Sequence, residues 1–357
     1  MSADVTGRAD EIIRKLLGWY DREQRTFSFR GTRDPYRVWL SEIMLQQTRT
    51  ETVGPYYERF LDQFPDVFSL AAAQEEQVLK AWQGLGYYTR ARNLHKAARI
   101  IVQEHGGRFP GDARGLGKLP GIGPYTAAAI ASIAYDEPVP AMDGNLNRVI
   151  SRLYHFTHEI TAPDAARTLR SLGQGLMPPA RAGDMNQALM DLGATICLPG
   201  TPDCGRCPLQ AECLALAQGD PAALPRIKAR KPPVQVSVAV VLLVCGDRVL
   251  LTRRREALLK GMYVFPLREG DDGPEAALAL AQRVDPGQTL VREETTARHV
   301  FTHRVWNMRV YSARVASCAA LTDGVWADME ALKRLPLPVA MSAARQAAER
   351  LLLAGGD

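Results

Sequence analysis

The stretch LGKLPGIGPYTAAAI, residues 116–130, decides how the first half of the chain is read. Gly121 and Gly123 flank Ile122, and an alanine-rich helix is predicted to begin directly afterwards. Glycine removes Cβ from the turn, so backbone N–H groups can approach an anion closely. The helix that follows adds its unpaired N-terminal donors and the positive end of its dipole. Ile122 is the apolar anchor of such a turn. A hairpin of this kind grips one phosphate of a nucleic-acid backbone without reading a base.

Helical spacing governs both sides of that turn. Ile12, Ile13, Leu16, Leu17 and Tyr20 recur on one face, and Asp34-Pro35 reads as an N-cap with proline at the first helical position. Val53, Tyr57, Phe60, Leu61 and Phe64 form another face, as do Leu94, Ala97, Ala98, Ile101 and Val102. Further helices are predicted at 125–134, 145–154, 163–173 and 183–196. Residues 8 to 216 are therefore helix after helix.

The pattern then changes. Residues 219–233, GDPAALPRIKARKPP, are rich in proline and carry Arg226, Lys228, Arg230 and Lys231, which reads either as a stiff solvated linker or as a basic strap. From 234 the apolar period becomes two. Val234 to Val244 reads as a strand, Gly246-Asp247 as a hairpin turn into RVLLTRRR, and Val305 to Tyr311 as a strand alternating Trp306, Met308 and Val310 with Asn307 and Arg309. Helices near 275–284 and 339–353 complete an α+β domain. The predicted domains are 1–218, the linker 219–233, and 234–357.

Composition narrows the classes. A chain of 357 residues can bury two cores. With 46% apolar and 23% charged residues it is ordinary globular protein, which excludes disordered and collagen-like classes. No apolar run approaches the roughly 18 residues of a membrane-spanning helix. The start, MSADVTGRADEIIRK, has acids and no apolar centre, so no secretory leader is predicted and the expected compartment is the cytoplasm. A net charge of +5 is compatible with a nucleic-acid partner.

Four cysteines fall in the pattern Cys197-x6-Cys204-x2-Cys207-x5-Cys213. In a cytoplasmic chain such a group reads as metal ligation, and the spacing alone allows either zinc or an iron–sulfur cluster. Cys245 and Cys318 stand apart in apolar stretches and read as small core residues.

LPGIGPYTAAAI resembles the helix-hairpin-helix of the endonuclease III superfamily of DNA glycosylases, and AMDGNLNRVISR (141–152) resembles its loop bearing a catalytic aspartate. SEIMLQQTRTETV (41–53), WQGLGYYTRARNLHKAA (82–98) and DMNQALMDLGATIC (184–197) resemble the adenine glycosylase branch, the MutY family. The resemblance implies an all-α glycosylase domain followed by a MutT-like (Nudix-fold) domain. It implies a [4Fe–4S] cluster on Cys197, Cys204, Cys207 and Cys213. It implies removal of adenine mispaired with 8-oxoguanine or guanine in duplex DNA, by a monomer associated with the nucleoid and with no membrane partner.

Residue roles follow from the same matches. Glu42, among Trp39, Ile43, Met44 and Leu45, is the expected general acid toward adenine N7, because desolvation favours a neutral carboxyl. Asp143 is expected to steady the sugar cation, supported by Tyr125 and Asn145. Strand-cutting members of the superfamily place a Schiff-base lysine where this chain has Tyr125, so a monofunctional glycosylase is implied over the bifunctional alternative. Arg25, Arg30, Leu45 and Gln187 are implied for the adenine pocket. Gln47, Thr48, Tyr87, Leu119, Gly121 and Gly123 are implied for DNA contact. Phe301, Thr302 and His303, within HVFTH (299–303), are implied for 8-oxoguanine recognition.

The chain departs from the family pattern in three places. Ser28-Phe29 stands where Pro-Trp is usual, thinning the aromatic wall of the pocket. LPGTPD, between Cys197 and Cys204, lacks the usual basic residues, leaving Arg206 as the nearest. The MutT-like part has Tyr263-Val264-Phe265-Pro266 but no Nudix hydrolase frame, since Arg292-Glu293-Glu294 is a fragment out of register; pyrophosphatase activity is not expected.

Overall fold

The computed structural model describes residues 3–228, 232–318 and 324–354. No helix among them is long and apolar enough to cross a membrane. The chain divides into two compact units: residues 1–72 with 93–229, and residues 73–92 with 230–357. Residues 73–92, which the sequence places in the helical part, thus group with the second unit.

The first unit is helical. Its core is built on Ile12 and Leu16 of the Ala3–Glu23 helix, Leu146 and Ile150 of Gly144–Leu153, and Met185, Leu189 and Leu192 of Ala182–Thr195. Local chemistry sets the helix starts that matter. Asp34 caps Pro35–Leu45 by accepting from the Tyr36 N–H. Asp143 caps Gly144–Leu153 by accepting from Leu146 N–H at 2.7 Å. Gly123 precedes Pro124 at the first position of Pro124–Tyr135. Gly121 has φ of +78°, and a Cβ there would sit 2.7 Å from the Asn93 Cβ, so both conformation and space demand glycine. Ile122 is buried, as the anchor role requires.

The beginning of the linker is held to this unit. Leu224 is buried, its carbonyl accepts from Arg152 Nε, and the Arg226 backbone bridges to Glu159, its carbonyl accepting from the Ile160 N–H. Arg230 and Lys231 lie outside the described residues.

The second unit is a mixed sheet in the order β3-β2-β1-β6-β5, with β4 pairing β1 and β7 pairing β2. The strands are β1 (Val234–Cys245), β2 (Arg248–Arg253), β3 (Tyr263–Val264), β4 (Leu267–Glu269), β5 (Arg292–Val300), β6 (Arg304–Arg314) and β7 (Gly324–Ala327). β1 runs parallel to β6, with Val240 opposite Val310, and turns through Gly246-Asp247 into antiparallel β2. Its two faces feed different cores. Val238, Val240, Leu242 and Val244 share one with Trp306, Met308, Val310 and the Ser342–Leu353 helix. Ala239, Val241 and Leu243 share the other with the Pro274–Gln282 helix. Burial on both faces explains why β1 is an almost unbroken apolar run.

One expectation fails here. Cys245 and Cys318 are not isolated core residues: they form a disulfide. Cys245 ends β1, and Cys318 follows β6, the strand paired alongside, so parallel pairing brings together two positions far apart in the chain.

Candidate active site

A pocket of about 240 Å³ opens in the helical unit. Its lining includes Glu42, Tyr125, Asp143 and Asn145, and also Arg25, Arg30, Leu45, Thr48 and Gln187. The fold therefore brings together residues separated by more than a hundred positions. Glu42 projects from Pro35–Leu45 and is only 6% exposed. The Tyr125 hydroxyl, from the first turn of Pro124–Tyr135, donates to Glu42 Oε2 at 2.8 Å. Asn145 Nδ2 donates to Asp143 Oδ2 at 2.9 Å, while the Leu146 N–H occupies the other carboxylate oxygen.

The two carboxyl groups are tuned differently. Burial pushes Glu42 up to about 7; the Tyr125 hydrogen bond and the Arg30 charge oppose that rise, and the Asp143 charge adds to it. Burial also raises Asp143, with the donors from Leu146 and Asn145 pulling back. Tyr125 is held well above the usual tyrosine value, by burial first and then by the Glu42 charge, so it remains a hydrogen-bond donor.

The wall of the pocket is aromatic despite the Ser28-Phe29 departure. Phe27 stacks on Phe29 at 5.0 Å between centroids, and Phe29 meets Tyr57 edge-on. The Arg25 and Arg30 guanidinium groups both lie over Phe27. Two residues of this site have no obvious sequence signal. Asp191, fully buried, ion-pairs with both arginines. Arg148 donates to Asn145 Oδ1, to the Gly193 carbonyl and, through Nε, to the Cys197 carbonyl, joining the Asp143 end of its helix to the cysteine loop. Gly193 permits that packing, since a Cβ there would meet the Asn145 Cβ at 2.7 Å.

Cys197, Cys204, Cys207 and Cys213 line one small cavity. Arg152 donates to the Cys197 sulfur at 3.3 Å and to the Leu198 carbonyl. Burial pushes Cys207 up to about 12 and raises Cys204 and Cys213, with the neighbouring sulfurs adding to each rise, so these thiols lose their protons as ligands only against a cation. Among the described residues no three ligand side chains converge as a single metal ion requires. Arg206 is exposed beside Asp203.

Other predicted residues stand elsewhere. Gln47 is exposed at the end of its helix with φ of +58°. Leu119 is buried, and Gly121 and Gly123 are exposed in the hairpin turn. Phe301, Thr302 and His303 form the turn from β5 to β6 in the second unit. Phe301 packs edge-on against Trp306 and His299. The Thr302 hydroxyl lies 2.5 Å from the hydroxyl of Tyr87, an exposed side chain at φ of +48°. His303 is exposed, and its carbonyl accepts from the Val234 N–H. Arg292-Glu293-Glu294 begins β5, where Glu294 accepts from the Ser312 hydroxyl.

Residues 40–174 match the HhH-GPD superfamily base excision DNA repair protein family, and residues 238–347 match the NUDIX domain family. The adenine DNA glycosylase of Rattus norvegicus is 34% identical over 95% of this chain and 77% of its own length. That of Mus musculus is 35% identical over 90% of this chain and 73% of its own. The chain belongs to the adenine DNA glycosylase family. Among solved structures, a thermostable thymine-DNA glycosylase is 27% identical with a TM-score of 0.56, covering 60% of this chain and 100% of that one. Endonuclease III in a trapped DNA complex, at 20% identity and a TM-score of 0.51 over 61% of this chain and 99% of that one, shares the fold of the helical part. Family membership thus rests on both halves of the chain, helical and MutT-like.

Proposed function

We propose that this glycosylase excises adenine mispaired with 8-oxoguanine or guanine in duplex DNA, leaving an abasic site in an uncut strand. The observation that carries the reading is one pocket holding a buried carboxylic acid gripped by Tyr125 and a second carboxyl at 143. A base inside a duplex is out of reach, so adenine must leave the stack to enter. Glu42, neutral up to about pH 7, gives its proton to the base. The departing adenine keeps the electron pair of the C1′–N9 bond, and Asp143, ordered by Asn145, steadies the cationic sugar. Water then completes the hydrolysis. Arg25, Arg30 and Gln187 supply donors suited to the acceptor nitrogens of adenine. No amine stands at position 125 to form a Schiff base.

Gly121 and Gly123 would grip a phosphate, Leu119 would support that turn, and Gln47, Thr48 and Tyr87 would contact the duplex around the vacated position. Phe301, Thr302 and His303 would read 8-oxoguanine, with the exposed Thr302 hydroxyl as the polar group on offer. Cys197, Cys204, Cys207 and Cys213 would hold a [4Fe–4S] cluster: four thiols lining one cavity suit it. The cluster would supply a structural tie between the cysteine loop and the Arg148 and Arg152 helix. On this reading the enzyme would work as a monomer in the cytoplasm, with the nucleoid.

The test is a duplex with adenine opposite 8-oxoguanine. Free adenine should appear while the strand stays intact until alkali is added. A borohydride-trapped protein–DNA adduct would instead favour the bifunctional alternative.

A further inference from the structure

The loop from residue 25 to 30 brings two guanidinium groups into the adenine pocket, and like charges so close repel unless something lies between them. That something is Asp191, fully buried on the Ala182–Thr195 helix. It accepts from Arg25 Nε at 2.7 Å and from the Arg25 backbone N–H at 3.2 Å. It accepts from both terminal nitrogens of Arg30, at 2.6 and 2.9 Å. Arg30 also donates to the Arg25 carbonyl, closing the loop on itself. Asp191 follows Gln187, another pocket residue, by one helical turn, so both lie on one face.

We infer that Asp191 is a positioning residue that controls how much positive charge the pocket presents to Glu42. The carboxylate fixes Arg30 in a two-pronged pair and partly cancels its charge. It takes Arg25 through Nε and the backbone, leaving the terminal nitrogens of that side chain for the base. Burial alone would raise the Asp191 carboxyl, yet the hydrogen bonds and charges of Arg30 and then Arg25 take it below the usual value, so it stays ionised across the working range. The groups facing Glu42 are Tyr125 from the Pro124–Tyr135 helix, Asp143 before the Gly144–Leu153 helix, and Arg30 from the loop. Of these only Arg30 favours the ionised acid through its charge, and Asp191 is what restrains it.

The consequence concerns the alkaline limb of the rate profile. An acid that must be protonated loses activity as pH rises through its pKa. With Asp191→Asn, Arg30 is no longer neutralised, Glu42 ionises sooner, and the limb should move to lower pH by about one unit. The single-turnover rate at pH 8, relative to pH 6, should then fall about fivefold further than in the wild type. Arg30→Gln should move the limb the opposite way. Adding Asp191→Asn to Arg30→Gln should leave the limb where Arg30→Gln set it.

The inference rests on Glu42 being the proton donor, and the outcomes separate the two. A wild type with no alkaline limb removes the donor reading and this inference with it. A wild-type limb that Asp191→Asn leaves in place, with a uniform rate loss at every pH, overturns this inference alone. So does a shift that persists in the Arg30→Gln background. If Asp191→Asn does not melt cooperatively, Arg30→Gln decides by itself, because an unmoved limb there contradicts the coupling.

Discussion

The pocket of the helical unit and the β5–β6 turn of the sheet unit present their polar groups in opposite ways. In the first, Glu42 is buried and its acidity is set by desolvation, a phenol, a carboxylate and a guanidinium. In the second, Thr302 is exposed and its hydroxyl meets another exposed hydroxyl, that of Tyr87. Proton transfer gains from exclusion of water, which strengthens every charge interaction. Recognition needs a hydrogen-bonding group that a partner can reach. Changes in the first region should therefore alter the rate of chemistry, and changes in the second should alter the choice of partner base.

After loss of the acid at Glu42 itself, the largest effect on that contrast is expected at Asp143. Asp143→Asn keeps the size of the side chain but removes the charge proposed to steady the sugar. Single-turnover adenine release should fall roughly 10²- to 10⁴-fold, with duplex affinity retained. Loss of binding equal to the loss of rate would assign Asp143 to its N-cap alone.

Next is Gly121→Ala. The added Cβ meets Asn93 in a backbone of positive φ, so the hairpin should lose about 1–3 kcal/mol of stability and its phosphate grip. Melting temperature and duplex affinity should drop together, measured by calorimetry and by gel shift, whatever base lies opposite adenine.

Tyr125→Phe should act on acidity more than on rate. Its hydroxyl lowers Glu42, so its removal lets the acid stay protonated to higher pH. The alkaline limb should move up by less than about one unit, read in a pH–rate profile. Movement to lower pH would contradict the assigned sign.

The smallest change is expected from Thr302→Ala, which removes one hydroxyl from the reading turn. Discrimination between 8-oxoguanine and guanine partners should fall by about the fivefold that one neutral hydrogen bond is worth, with release from the guanine mispair unchanged. An equal loss on both mispairs would show that the two regions are not divided as described.

The elements around the pocket are legible in the sequence because their signals are local. Asp34-Pro35, Gly121-Ile122-Gly123 and Asp143 each mark a helix start within a few residues. The valines of β1 likewise announce a strand, although its apolar period reads as two and the structure buries both faces from Val238 onward. What was hidden depends on contacts distant in the chain. Asp191 looks like any helical acid until the fold brings Arg25 and Arg30 to it, across 166 and 161 positions. The Cys245–Cys318 disulfide spans 73 positions and needs the parallel pairing of β1 with β6. The grouping of residues 73–92 with the sheet unit has the same origin: Tyr87 meets Thr302 across 215 positions, and Tyr263 donates to Glu76 across 187.

The central claim is that a neutral carboxyl at position 42 releases the base. Glu42→Gln preserves shape and hydrogen bonding but cannot give up a proton. With 8-oxoguanine opposite adenine, the variant should bind the duplex as the wild type does and liberate no measurable adenine in a single turnover. Adenine release at the wild-type rate would contradict the account.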